Sequence, residues 1–413
     1  MLMLSNLERF EVVDEKGSRA LFADLAVALL DADYPVVDYL FFRDEKKSMR
    51  LPWAAVQKLD RENKQIKVSD FAKAEEFPLE PQKNYVLLKY EILDALLLDL
   101  QNRRAIRAND LLLEENGQLC LKAADNSLEA ILRRISFGLY KHVSQDGLYD
   151  WKYVEFLRGN PQAVRNGAGY HLRITRMPPA EIAQMSNFVP YLHAAELITL
   201  LPDPKAVKTL EVMSIERQVQ VFEELDEEQA IRLLALMAPD TAADLVGQLQ
   251  TNMMKKYLEK IPPRQSHRIV ELLRYPEDTV GAIMTNDVAS LPANLTVAEA
   301  RQEFRERFQN TDFVYLVYIV TDDESRQLIG VISLRDLFAA DDEEKLEEIM
   351  DPYIATLSSI DEVKKGAYRV VESQLTAMPV TGKDKKLLGA VTIDAAITAI
   401  APEGNSENLR IFS

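Results

Sequence analysis

The chain is poor in residues that cross-link a protein or hold it in a membrane. Cys120 is the one cysteine among 413 residues, which excludes an internal disulfide and a metal site built from several thiolates, and favours a reducing cytoplasm. The longest uninterrupted apolar run, residues 313–320, is far shorter than the roughly 18 residues that a membrane-spanning helix needs. We therefore predict a cytoplasmic protein without direct membrane insertion.

The sequence also lacks the short motifs that are typical of active sites. Its four histidines show no metal-ligand spacing. There is no nucleophile elbow, phosphate-binding loop or zinc-binding helix motif. These absences predict that the protein is not an enzyme.

Basic charge is scarce as well. Lys and Arg number 49 against 66 Asp and Glu, which gives a formal net charge of −17. Nucleic acids and anionic lipids bind through basic surfaces, so we predict no nucleic-acid partner. An acidic surface suits metal cations, although acidity of this degree is also common for solubility alone.

A repeated phrase stands near the end of the chain. Residues 330–336 and 389–395 are two copies of it, 59 positions apart. Capping-box patterns at 296–299 and 359–362 mark the start of a helix ahead of each copy. Each copy, together with the residues ahead of it, is therefore predicted to form one unit in the order strand, helix, strand, strand and helix.

Residues 175–275 carry a different pattern. An apolar residue recurs every twelve positions, and helix-starting or helix-breaking residues follow it closely. This pattern predicts short antiparallel helices stacked in a superhelix, because no single helix could bury its own apolar stripe. The recurring apolar residues are Val189, Leu201, Met213, Leu225, Met237, Leu249, Ile261 and Leu273.

The first 157 residues are predicted to be rich in strands. A Trp followed three residues later by a Val occurs twice, at Trp53 and at Trp151, and the chain has no other Trp. We interpret this repeat as two related, small β-barrel-like domains at residues 1–75 and 80–157.

The second of these domains resembles a PRC-barrel domain. Residues 92–94, 106–110 and 132–135 carry the resemblance. It implies tandem PRC-barrel-like domains that act as docking or packing modules.

Residues 273–285 and their surroundings carry a more specific resemblance. Together with residues 317–320 and 331–337, this segment resembles the junction between the helical N domain and the CBS domain pair of MgtE-type magnesium transporters. The resemblance covers roughly residues 175–400. It implies an N-type helical superhelix at 175–275 and a CBS pair at 276–402.

The two CBS copies are then expected at 280–340 and 346–402. The predicted fold is multidomain α+β, in which barrel-like domains precede an all-α superhelix of short antiparallel helices and an α/β CBS pair. In the family that it resembles, a transmembrane domain follows, whereas this chain ends at Ser413. We therefore expect either the cytosolic part of a transporter or a protein without a pore.

The resemblance implies a magnesium sensor that forms a homodimer through the CBS pair. Mg²⁺ would bridge crowded carboxylates between domains and so favour a closed form. A membrane transporter or another protein would be its partner. The acidic run at 341–344 could equally be a solvated helix start. The candidate metal ligands are Asp240, Asp244, Asp336, Asp341, Asp342, Glu343 and Glu344.

Two other functions remain open. CBS pairs also bind adenine nucleotides, and Ser333 with Asp336 fits one half-site, where a hydroxyl meets phosphate and a carboxylate meets ribose hydroxyls. Ala395 replaces that carboxylate in the second copy, so at most one nucleotide per CBS pair is expected. Ser333 and Asp336 could instead simply cap a helix. The third possibility is a scaffold that serves only protein contacts.

Overall fold

A computed structural model describes residues 2–28, 32–44, 47–80, 85–136, 140, 142–158, 172–308, 311 and 315–401. Phe313 in the apolar run and the expected domain end at residue 402 lie outside these ranges. The chain divides into two compact units. The first comprises residues 1–206 and 223–226, and the second comprises residues 207–222 and 227–413.

The first unit begins with strand-rich sheets. Its strands are β1 (Leu2–Met3), β2 (Glu11–Asp14), β3 (Arg19–Ala28), β4 (Val37–Asp44), β5 (Lys47–Pro52), β6 (Val56–Asp60), β7 (Gln65–Val68), β8 (Glu75–Glu76), β9 (Tyr85–Leu87), β10 (Leu96–Asp99), β11 (Arg104–Arg107), β12 (Asp110–Asn116), β13 (Gln118–Asp125), β14 (Leu148–Asp150) and β15 (Val154–Phe156). Two short helices lie among these strands, α1 (Leu4–Leu7) and α2 (Leu128–Ile135).

These strands form three sheets. An eight-stranded sheet runs in the order β6-β7-β2-β3-β4-β5-β8, with β9 also paired to β3. A four-stranded sheet has the order β1-β12-β13-β14, and a three-stranded sheet has the order β11-β10-β15. We call the eight-stranded sheet the first β-region and the other two sheets the second β-region.

The two Trp motifs have the same local structure. Residues 53–55 and residues 151–153 both form a single 3₁₀ turn between two strands. Trp151 is buried, whereas Trp53 is partly buried against the same apolar cluster. That cluster is continuous through both β-regions, since it contains Phe42 of one and Leu121 of the other.

Nine helices follow in the described chain, and the twelve-residue spacing correctly predicts where the last eight of them end. All of the recurring apolar residues lie at helix ends, and the first seven are buried, whereas Leu273 is 37% exposed. The helices are α3 (Leu172–Arg176), α4 (Pro179–Ser186), α5 (Tyr191–Thr199), α6 (Asp203–Glu211), α7 (Ile215–Glu224), α8 (Glu227–Leu236), α9 (Pro239–Gln248), α10 (Thr251–Lys260) and α11 (Pro263–Leu272).

The remaining elements form two copies of one α/β motif, as predicted. In each copy a short strand pairs in parallel with a second strand, which pairs antiparallel with a third. The first copy consists of β16 (Ser290–Pro292), α12 (Val297–Arg307), β17 (Leu316–Val320), β18 (Leu328–Ser333) and α13 (Leu334–Ala339). After α14 (Leu346–Ile349), the second consists of β19 (Leu357–Ser358), α15 (Val363–Ser373), β20 (Ala377–Thr381), β21 (Leu387–Thr392) and α16 (Ile393–Ile400).

One of the two predicted capping boxes is confirmed. Thr296 and Glu299 cap α12 reciprocally. The box predicted at residues 359–362 is wrong, because α15 begins only after Glu362, whose side chain makes no cap hydrogen bond. The pattern there lies in the preceding turn, where the Asp361 carboxylate accepts from the Ser358 N–H at 3.0 Å.

Candidate functional site

The second unit contains a cavity of about 580 Å³ that carboxylates surround. We call it the acidic cavity. Lys208 is the one basic residue among the described residues that line it. The acidic lining residues are Glu211, Asp240, Asp244, Glu277, Asp287 and Asp394.

Helix α9 supplies two of these carboxylates. Pro239 is well suited to the first helical position, because it lacks the N–H that would have no partner there. Asp240 and Asp244 follow at a spacing of four, which places them on the same helix face. Glu211, at the end of α6, accepts a hydrogen bond from the N–H of Ala238 at 2.8 Å. The start of α9 is thereby held beside a third carboxylate.

The segment that leads into the first α/β copy forms the opposite wall. The Thr285 hydroxyl donates to Asp240 Oδ1 at 3.0 Å, and the Asp287 N–H donates to the Thr285 oxygen at 3.2 Å. The guanidinium of Arg268 pairs with the Asp287 carboxylate. Asp240 and Asp287 thus share Thr285 as a common neighbour.

The second α/β copy completes the cavity. The backbones of Thr285 and Ala390 exchange two hydrogen bonds of 2.9 Å, which fix this segment against β21. Gly389 permits the close approach, because a Cβ at this position would lie 2.2 Å from the Thr285 carbonyl oxygen. From β21 the chain continues into α16, whose first turn places Asp394 on the cavity wall.

The surroundings of Asp240 in the cavity change its pKa. Burial, together with the nearby negative charges of Glu211 and Asp287, raises the pKa of the half-buried Asp240 to about 6. The hydrogen bond from Thr285 opposes this rise only in part. A carboxylate in such surroundings is stabilised by an added cation.

The spacing of the carboxylates bears on how a cation could bind. Within the described ranges, no three His, Cys, Asp or Glu side chains come together as a metal-holding group. Mg²⁺ usually binds through one or two carboxylates and keeps several of its waters. The acidic cavity therefore suits a hydrated, hard divalent cation rather than one enclosed by protein ligands.

The structure brings only two of the candidate metal ligands into this cavity, Asp240 and Asp244. Asp341 to Glu344 lie between α13 and α14 and do not line it. There, Asp342 pairs with Arg301, and the Asp341 N–H donates to Glu344 Oε2 at 2.8 Å. Glu343 is exposed.

Ser333 and Asp336, the candidate nucleotide half-site, bind each other. The Ser333 hydroxyl donates to Asp336 Oδ2 at 2.6 Å and accepts from the Asp336 N–H at 3.1 Å. In the second copy, Thr392 caps α16 in the same way by accepting from the Ala395 N–H at 3.2 Å. Both hydroxyls are therefore helix caps, and Asp336 lies outside the acidic cavity.

Glu211, Glu277, Asp287 and Asp394 also line the acidic cavity but were not among the predicted metal ligands. A signal existed for Asp287, which stands two residues beyond the junction segment that ends at Thr285. Glu211 had no distinguishing pattern, because it is one of many carboxylates in the helical region.

Known proteins match this part of the chain. Residues 177–278 match the MgtE intracellular N domain family, and residues 280–343 match the CBS domain family. The chain carries an MgtE N domain followed by a CBS pair. The acidic cavity is thus lined by helices of the MgtE N domain and by the second CBS copy. Both matched families are regulatory rather than enzymatic.

Two curated relatives are magnesium transporters named MgtE. That of Thermus thermophilus is 26% identical over 251 residues, covering 60% of this chain and 55% of the relative. That of Enterococcus faecalis is 34% identical over 233 residues, covering 47% of this chain and 51% of the relative. The chain therefore spans about half the length of the curated relatives that it matches.

A solved structure is similar in fold. The cytosolic domain of the Mg²⁺ channel MgtE in complex with ATP is 25% identical, with a TM-score of 0.53, and the match covers 59% of this chain and 96% of that domain. Within the described ranges, no helix is long and apolar enough to cross a membrane. The PRC-barrel resemblance of residues 1–157 stays a prediction.

Proposed function

We propose that this protein is a magnesium-responsive regulator that binds Mg²⁺ in the acidic cavity. The observation that carries the proposal is that six carboxylates and only one lysine line the described part of this cavity. Like charges repel at this range, and a divalent cation with oxygen ligands relieves the repulsion. Its binding would favour the conformation in which the MgtE N domain and the second CBS copy lie together.

The proposal also covers the partners of this protein and its location in the cell. The relatives' name supports a role in magnesium transport, in which this chain would act on a membrane transporter from the cytoplasm. A homodimer through the CBS pair is supported by two aromatic residues, Phe338 on α13 and Tyr368 on α15, which are 65% and 54% exposed.

Magnesium titration tests the proposal. At a Mg²⁺ concentration ten times its Kd, we expect about 1.4 kcal/mol of added stability, measured by chemical denaturation at pH 7.5. Asp244→Asn should remove most of this gain, because it deletes a carboxylate of the cavity wall. Asp341→Asn is the matched control, since Asp341 lies outside the cavity.

Two outcomes would contradict magnesium binding in this cavity. One is a stability that millimolar Mg²⁺ leaves unchanged. The other is an equal loss of the Mg²⁺ effect in Asp244→Asn and Asp341→Asn, which would indicate general screening of the acidic surface.

Adenine-nucleotide binding is the second candidate function. The similar MgtE domain solved with ATP and the Ser333–Asp336 pair favour it. Calorimetry with ATP, ADP and AMP on the wild type and on Asp336→Ala tests it. We expect heat in the wild type and at least a tenfold weaker affinity in the variant, because ribose hydroxyls lose their acceptor. No heat in either protein, or equal heat in both, would eliminate this function.

A further inference from the structure

The N-terminal segment lies in the sheet of the second β-region. β1 pairs antiparallel with β12, with Leu2 opposite Leu113 and Met3 opposite Leu112. The short helix α1 follows directly, and Ser5 in it donates its N–H and its hydroxyl to the Asp110 carboxylate, at 3.1 and 2.6 Å.

Residues 85–92, which precede β10 of the second β-region, have the corresponding arrangement. β9 pairs antiparallel with β3 of the first β-region. A helical turn, residues 88–92, follows directly. In it the N–H groups of Lys89 and Tyr90 donate to the Asp24 carboxylate at 2.8 and 2.9 Å. The segment that leads into the second β-region is therefore bound by the first.

The two arrangements correspond position by position. In β3, Ala26 lies two residues after Asp24 and pairs with Leu87 of β9. In β12, Leu112 lies two residues after Asp110 and pairs with Met3 of β1. Asp24 and Asp110 are both fully buried, and each also accepts the N–H of the next residue. This agreement shows that one binding mode is used twice.

We propose that the two β-regions are completed by reciprocal exchange of their leading segments, and that the second carries a peptide-binding site that residues 2–7 fill. The site consists of the edge of β12 with which β1 pairs, and of the buried Asp110 carboxylate, which accepts hydrogen bonds from a helical turn. Its ligand is a short segment with two extended apolar residues, followed by a turn that begins with Leu4 and Ser5.

Burial explains the apolar preference of this site. Leu2, Met3, Leu4 and Leu7 are all nearly inaccessible to solvent. The Ser5 hydroxyl has a separate role, because it joins the Arg133 guanidinium, 3.4 Å from the same Asp110 oxygen, in satisfying a buried carboxylate. An extended strand alone, or a turn alone, would supply only half of these contacts.

Peptide complementation tests the site in the otherwise full chain. We remove residues 1–9 in a Trp53→Phe background, so that the buried Trp151 of the second β-region reports its packing. Loss of the segment should shift the Trp151 emission to the red and lower the unfolding temperature. The free peptide of residues 1–9 should reverse both changes at saturation.

Two control peptides define the specificity. Ser5→Ala should bind at least about tenfold more weakly, because a hydrogen bond to a charged group is lost. A scrambled peptide of the same composition should not bind. Unchanged Trp151 emission after the deletion, or a deletion that the wild-type peptide fails to reverse at a hundredfold excess, would overturn the peptide site.

A cross-link tests the exchange even if the shortened chain does not fold. In a Cys120→Ala background, Met3→Cys with Leu112→Cys should form a disulfide within one chain, because these residues are direct neighbours across two strands. Ala26→Cys with Leu87→Cys should do the same in the first β-region. A missing disulfide, or one that links two chains, would refute the exchange.

Discussion

At the scale of single residues, burial and neighbouring charges act on Asp240 in the same direction. Both raise the pKa of its carboxyl, to about 6. The folded protein then holds a proton that the unfolded chain has lost between about pH 4 and pH 6. The free energy of unfolding therefore falls as the pH rises through this window and levels off above it.

This shift predicts the behaviour of Asp240→Asn in the absence of metal. Wild type should lose about 2 kcal/mol of stability between pH 4.5 and 7.5 through this group, at about 1.4 kcal/mol per pKa unit. The variant should lack this component, since its amide does not titrate and can still accept from Thr285. Urea unfolding at the two pH values measures the difference.

Asp323→Asn, at an exposed turn, is the control for that measurement. It should follow the wild-type pH dependence. If Asp240→Asn kept the wild-type pH dependence as well, the surroundings of Asp240 would not raise its pKa.

At the scale of elements, local sequence patterns predicted where helices end better than they predicted the structure around them. The twelve-residue spacing marks the ends of α5 to α11 because each helix needs an apolar anchor and a start signal, and both are local in sequence. The prediction of a capping box at residues 359–362 was wrong because this pattern, too, is only local. A hydroxyl and a carboxylate three residues apart fit a turn as well as a helix start.

The contact between Thr285 and β21 gives an element-scale prediction. Gly389→Ala should push the strand away from the segment that carries Thr285, because the new methyl carbon would overlap a carbonyl oxygen that cannot rotate away. We expect a loss of about 2 kcal/mol or more in stability and a weaker Mg²⁺ response, measured by denaturation with and without Mg²⁺.

Gly247→Ala is the matched control within α9. Its added Cβ would lie 3.4 Å from the Leu273 side chain, which is ordinary contact. Replacing a helical glycine by alanine should raise the stability by about 0.5–1 kcal/mol. A Gly389→Ala protein as stable and as Mg²⁺-responsive as this control would show that the close approach is unimportant.

At the scale of the whole molecule, the sequence predicted the order of the parts but not their long-range pairings. The repeats at residues 330–336 and 389–395 predicted two α/β copies, because repetition is visible in one dimension. The acidic cavity joins residues from Lys208 to Ala399, and β1 pairs with a strand more than 100 residues away. No local periodicity encodes such contacts.

The two compact units allow the Mg²⁺ response to be located. Both tryptophans belong to the first unit, and all described residues that line the acidic cavity belong to the second. Mg²⁺ should therefore raise the thermal transition seen in helical circular dichroism and leave that seen in tryptophan fluorescence unchanged. Equal shifts in both signals would place the response elsewhere in the chain.

The exchanged segments also set an order of events during synthesis. Residues 2–7 leave the ribosome well before β12, the strand with which they pair, which ends more than 100 residues later. At about 5–20 residues per second, these apolar side chains wait roughly 5–20 s for their place in the sheet. During that time the nascent chain exposes an unpaired apolar segment, to which chaperones that hold such segments could bind.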